Sequence, residues 1–255
     1  MEKKKIGILA AAVSAVVIIA VIIFALSGSK QEVQADDLKA GLSYLAELEN
    51  TDTSIVENQI KEIKKQERKA ALESGEIDVW QQFGDIVLMG DSRTIGFSNL
   101  ELIESQRVIA QGGATIRDIP NYMDQLVNLN PSVVVFSYGL NDISIGHWDT
   151  VEEYISELDQ RIQEVESAVS NCTVFVNSII PAIDPAFERS EKWRKIPDWN
   201  VSIKQHCEEQ GIPYIEITDT VNEHADLYDG DGIHMHPDFY PFWAVDIITE
   251  VTDYE

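Results

Sequence analysis

The chain has 255 residues, 44% of them hydrophobic, which is enough for one sizeable domain with shorter appendages. Its 44 Asp and Glu against 19 Lys and Arg give a formal net charge of −25. A surface this acidic repels phosphate backbones and argues against nucleic-acid binding. Two cysteines, Cys172 and Cys207, exclude a disulfide scaffold and a cysteine-rich metal module.

The first segment, 1–29, reads as a cytoplasmic tip and a membrane anchor. Lys3, Lys4 and Lys5 precede an uncharged run that opens at Ile6 and closes at Leu26. Its 21 residues are long enough to span a bilayer as a helix. The basic flank predicts a cytoplasmic N-terminus and an extracytoplasmic remainder. A cleaved signal peptide is the rival, with Ala25-Leu26-Ser27 as its cleavage site, but the run exceeds the ~7–15 residues of a usual signal core.

Residues 30–80 read as a helical stalk or brace. Leu38, Leu42, Leu45 and Leu48 recur at helical spacing, and after a break at residues 50–53 the period resumes with Val56, Ile60 and Ile63. The apolar seam predicts a buried face, and the lysines between Lys61 and Lys69 predict a solvated one. No chemistry is legible here.

Residues 81–255 alternate strand and helix patterns. Strands are expected at 86–89, 107–110, 132–137, 173–178 and 213–217, and the clearest helix at 150–169. That alternation implies βαβ units, a parallel five-stranded sheet and helices on both faces. The run Ile86-Val87-Leu88-Met89 leads straight into Gly90-Asp91-Ser92. The turn thus presents Ser92 at the carboxyl end of the first strand, the edge where open α/β sheets bind ligands. Ser92 is also a plausible helix cap. Gly112 and Gly113 follow the second strand, and Gly139-Leu140-Asn141-Asp142 follows the third, so all three loops converge on one edge.

Near the C-terminus stands Asp229-Gly230-Asp231-Gly232-Ile233-His234-Met235-His236. A serine hydroxyl needs a base, and the base needs an orienting group. Because they are so close in the chain, Asp231 can hold the Nδ1–H of His234 while Nε2 faces Ser92. The backbone N–H groups of Ser92 and Gly113 and the Asn141 amide are candidate oxyanion donors. Asp91 reads as a loop brace acting through backbone hydrogen bonds. Asn141 alone would read as a turn brace, and Asp229, Asp231, His234 and His236 together raise a metal site as the rival reading.

At this point the chain resembles the SGNH/GDSL hydrolases, with four blocks in order: Gly90-Asp91-Ser92, Gly113, Gly139-Leu140-Asn141-Asp142, and Asp231-Gly232-Ile233-His234. The resemblance covers roughly residues 84–245. It implies a flavodoxin-like α/β/α sandwich and ester hydrolysis or acyl transfer without metal or other cofactor. By that resemblance Ser92 is the nucleophile, His234 and Asp231 are base and orienter, and Gly113 and Asn141 complete the oxyanion hole. Arg93 stands where the family name has leucine, which suggests a cation beside the nucleophile and an anionic substrate. The resulting expectation is a membrane-tethered esterase of cell-envelope glycans, an ester substrate being its partner and its oligomeric state open. A lipid-ester hydrolase and an inactive scaffold serving as a surface binding protein are the alternatives. The long connection after the fourth strand, with Pro181, Pro185, Phe187, Trp193 and Trp199, is a candidate pocket wall. Cys172 and Cys207 fall toward the opposite edge of the sheet. Outside the membrane a bridge is permitted, but the habit of cysteine favours two buried free thiols.

Overall fold

The computed structural model describes residues 39, 41–43 and 54–254. The chain divides into two units, Met1–Glu57 and Asn58–Glu255. The run from Ile6 to Leu26 lies outside the described residues. Among those described, no helix is long and apolar enough to cross a membrane.

Five strands form one parallel sheet in the order β2-β1-β3-β4-β5: β1 (Ile86–Gly90), β2 (Val108–Ala110), β3 (Val133–Ser137), β4 (Thr173–Asn177) and β5 (Tyr214–Ile215). Every residue of β1 and β3 is buried. This is what unbroken apolar runs produce when both sheet faces are covered. Side chains alternate between two cores. Val87, Met89, Val134, Phe136, Val174 and Val176 face one; Ile86, Leu88, Val133, Val135, Phe175 and Ile215 face the other. Each such fully buried side chain contributes about 1.5–3 kcal/mol.

Helices close both cores. On the first side lie α3 (Met123–Leu129), α5 (Val151–Ala168) and α6 (Ile196–Gln210). Helix α5 begins where its cap dictates: the Thr150 hydroxyl accepts from Glu153 N–H at 3.3 Å, and the Glu153 carboxylate accepts from Thr150 N–H. On the second side lie α1 (Ser54–Glu73), the short α2 (Gly96–Asn99), α7 (Thr218–Glu223) and α8 (Tyr240–Tyr254). Short α4 (Leu140–Ile145) follows β3. Trp243 of α8 is fully buried between Phe97 and Phe239, and its indole N–H donates to the Asn177 side chain at 3.0 Å.

Two expectations for the second helical segment are corrected. The seam of Val56, Ile60 and Ile63 is exposed rather than buried. The lysine face is the one that docks. Lys61, Lys65 and Lys69 pair in an antiparallel ladder with Asp253, Glu250 and Asp246 of α8, the last two at 2.7 and 2.8 Å, and Leu72 enters the core one turn further on. Helical periodicity reveals an apolar stripe but not what covers it. Here the acidic face of α8 selects the cationic side of α1 instead. The two outer pairs contribute up to about 1 kcal/mol each, and Leu72 together with the pair to the buried Asp246 anchors the inner end of the helix.

Cys172, just before β4, and Cys207, in α6, are both buried free thiols. Burial pushes each up to about 12. Both are therefore inert thiols rather than nucleophiles.

Candidate active site

The site lies at the carboxyl edge, where strand order reverses about β1 and β3. Ser92 stands two residues beyond the end of β1, half-buried in the turn toward α2. Its hydroxyl does not cap that helix. Ser92 Oγ lies 2.9 Å from His234 Nε2. On the other side of the ring, His234 Nδ1 lies 2.7 Å from Asp231 Oδ2. With Nδ1 donating to the carboxylate, Nε2 is left as the acceptor for the Ser92 hydroxyl.

The Asp231–His234 turn holds its own carboxylate. Asp231 Oδ1 accepts the backbone N–H of Ile233 at 2.9 Å and of His234 at 3.0 Å. Burial pushes this carboxyl up, but those N–H bonds and the imidazole outweigh burial and hold it at about 2. It is an anion wherever an ester would be assayed. Gly232 makes the turn possible: φ is +70°, and a Cβ there would meet the Ile183 carbonyl.

Gly113 sits exposed in the turn after β2 at φ +82°, with open space where a Cβ would be. Among the described residues, neither the Gly113 N–H nor the Ser92 N–H donates to a protein acceptor. Asn141, in the first turn of α4, donates one amide hydrogen to the Ala114 carbonyl at 3.1 Å. That bond fixes the amide beside the Gly113 loop and leaves its second hydrogen for another acceptor.

Asp91 is fully buried and braces the turn, accepting Arg93 N–H at 3.0 Å. Arg93 corrects its expectation. It does not stand as a cation beside Ser92: it is 3% exposed, paired with Asp91 and donating to the Ile180 carbonyl at 2.7 Å. Tyr240 closes the arrangement by donating to the Arg93 carbonyl at 2.8 Å. A guanidinium next to a buried carboxylate folds inward to compensate it, which is why the sequence position alone misleads.

Asp142, which the sequence shows only as the last residue of its block, has a definite place. Its carboxylate accepts Ile116 N–H at 3.0 Å and Gly139 N–H at 2.8 Å, so one buried group ties the Gly113 loop to the Asn141 loop. Burial pushes it up to about 7, against the pull of those two bonds. A carboxylate three residues after a helix-starting glycine is the sequence signal for such a cap. The metal reading finds little geometry. Both oxygens of Asp231 are engaged within the turn, and His236 turns to Asp238, whose N–H it accepts at 3.3 Å. Among the described residues no cluster of three or more His, Cys, Asp or Glu is placed to hold a metal ion.

Residues 88–240 match the model of the GDSL-like lipase/acylhydrolase family. The chain belongs to that family. It is a carboxylic ester hydrolase on the same ground. Solved structures share the fold: the lipase/acylhydrolase from Enterococcus faecalis (20% identity, 65% of this chain and 94% of that one, TM-score 0.52), and a GDSL-like lipase from Bacteroides thetaiotaomicron (18%, 66% and 87%, TM-score 0.50). No protein of curated function matches this GDSL hydrolase by sequence.

The connection between β4 and α6 wraps this GDSL site. Ile183 N–H donates to the Gly232 carbonyl at 2.9 Å, and the Trp193 indole donates to the Leu140 carbonyl at 2.8 Å. It therefore bridges the turn carrying His234 and the helix carrying Asn141. Its Arg189, 3.8 Å from Asp231 Oδ2, carried no signal in the sequence.

Proposed function

We propose that this GDSL hydrolase is an extracytoplasmic, membrane-tethered serine esterase that removes short acyl groups, O-acetyl foremost, from cell-envelope glycans. The observation that carries the chemistry is the relay from Ser92 through His234 to Asp231, at 2.9 and 2.7 Å. Ser92 Oγ attacks the ester carbonyl and passes its proton to His234 Nε2. Asp231 holds the imidazole in the tautomer this needs and stabilises the imidazolium. The N–H groups of Ser92 and Gly113 and the free hydrogen of the Asn141 amide take the oxyanion. His234 returns the proton to the departing alcohol. Water then attacks the acyl-serine, giving its proton to His234 Nε2, and His234 passes that proton to Ser92 Oγ as the carboxylic acid leaves. The basic flank at Lys3 to Lys5 and the run 6–26 support tethering outside the cytoplasm. The intact relay speaks against an inactive scaffold.

The test is labelling with a fluorophosphonate together with turnover of acetyl, octanoyl and palmitoyl p-nitrophenyl esters and acetylated glycans. Labelling confined to Ser92, acetyl esters preferred, and a loss of roughly 10⁴–10⁶-fold in Ser92→Ala are expected. Retained activity in Ser92→Ala removes the nucleophile. A preference for palmitoyl esters replaces the glycan with a lipid. Membrane fractionation of the full chain tests the tether: recovery in the soluble fraction overturns it.

A further inference from the structure

The bridge from β4 to α6 crosses the site with one cation between its two ties. Toward one end, Ile183 and Ala186 pack on Gly232 in the turn that carries His234. Toward the other, Trp193 and Lys192 bond the carbonyls of Leu140 and Ser144 in the helix that carries Asn141. Arg189 lies between. Its guanidinium is 3.8 Å from Asp231 Oδ2, the oxygen that also receives His234 Nδ1–H, and 5.9 Å from the Trp193 ring centre. Yet its side chain is 63% exposed. A guanidinium offers five N–H donors in a planar fork, and an Asp231 already bonded by two backbone N–H groups and an imidazole occupies one edge of it at most. The other donors remain open at the exposed Asp231 end of the triad.

The charge around it makes this unusual. A chain of net charge −25 repels anions over most of its surface. Residues 189–195 locally invert that sign, with Arg189, Lys192, Arg194 and Lys195 against Glu191. Arg194 is held by Glu191 and Asp184, and Lys192 by Ser144. Arg189 is the member that reaches the triad. The buried Arg93 cannot serve an incoming anion; Arg189 can.

We propose that Arg189 is a specificity-determining residue that binds an oxyanion on the alcohol side of the ester, so that the preferred substrate is an acetylated acidic sugar rather than a neutral one. The proposal rests on the esterase reading above and names the substrate class of the same site. The fork matches a carboxylate bidentately, and a phosphate offers the same oxygens.

The experiment compares three acetyl esters with the full chain in detergent: an acetylated uronic acid glycoside, its neutral uronamide, and an acetylated sugar phosphate. The wild type is expected to favour the charged esters by about tenfold in kcat/KM, as one charge-assisted hydrogen bond supplies, and the preference shrinks with salt. The larger of the two charged values tells carboxylate from phosphate. Arg189→Gln is expected to lose the preference mainly through KM. Arg189→Lys, which keeps the charge without the fork, retains part of it. Equal wild-type values for charged and neutral esters overturn the proposal. So does an Arg189→Gln variant, folded by its thermal melt, that slows all three esters by one common factor, since Arg189 then acts only by holding Asp231. Hydrolysis of the uronamide, abolished by Ser92→Ala, keeps the esterase reading separate from this one.

Discussion

Asp91 and Arg93 form an ion pair inside the protein, one on either side of Ser92 in sequence. The carboxylate is fully buried and the guanidinium 3% exposed, with Arg93 Nη2 3.3 Å from Asp91 Oδ2. The pair is completed by Arg93 N–H on Asp91 Oδ1 and by the Ile180 carbonyl on Arg93 Nη1. Its two members hold the backbone from which Ser92 projects, so the serine is placed by charges that the substrate never meets.

Breaking that pair from one side is therefore costly. Arg93→Leu leaves Asp91 charged, buried and without its partner. Unpaired buried charges of this kind destabilise by about 3–5 kcal/mol, whereas removing both partners costs much less. Urea denaturation is expected to show such a loss for Arg93→Leu and a clear recovery in Asp91→Asn/Arg93→Leu. A single variant within about 1 kcal/mol of the wild type refutes the pair's role.

The Asn141 amide separates a catalytic from a structural role. One hydrogen is spent on the Ala114 carbonyl, and the second is the proposed oxyanion donor. Asn141→Ala should lower kcat on p-nitrophenyl acetate by about 10²–10³-fold with little change in KM, as loss of one such donor does. A variant with kcat within threefold of the wild type but a lower melting temperature identifies Asn141 as a turn brace.

What was legible in the sequence was local. The unbroken apolar runs of β1 and β3, the helical pattern of 150–169, and the three-residue step from Asp231 to His234 each depend on neighbours in the chain. β5 came out markedly shorter than expected, Tyr214–Ile215 against 213–217, because pairing with β4 alone ends the ladder early. What was not legible depended on distant partners. Arg93, folded against its neighbour Asp91, finds its further acceptor in the distant Ile180 carbonyl, Arg189 reaches Asp231 only because the bridge is tied to Gly232, and α1 docks by its lysines because α8 presents acids. No periodicity or motif encodes those encounters. The ordered blocks brought Ser92, His234 and Asp231 into hydrogen-bond contact, while Asp142, which ties two of the blocks together, was visible only as a letter within one of them.

Asp142 makes the last prediction, which concerns pH and stability. Its carboxyl is raised by burial to about 7 in the fold, against ~3.9 in an unfolded chain. Between these values the folded state keeps a proton that the unfolded state has released. Stability then falls as pH rises, because the slope follows the protons bound unfolded minus folded, which is negative here. Below pH ~4 both states are protonated and above pH ~7 both are ionised, so this group contributes no slope outside that window. The size is on the order of a few kcal/mol, since each tenfold difference in proton affinity between the two states is worth about 1.4 kcal/mol. Asp142→Asn removes the titration. It also gives up one of the two acceptors that hold Ile116 and Gly139, so it starts less stable at pH 4. The stability advantage of the wild type over Asp142→Asn, from urea melts at pH 4, 5, 6 and 7, is therefore expected to shrink steadily with pH. An advantage that stays constant or grows over that range means that Asp142 is buried as a carboxylate whose two N–H donors fully compensate its charge.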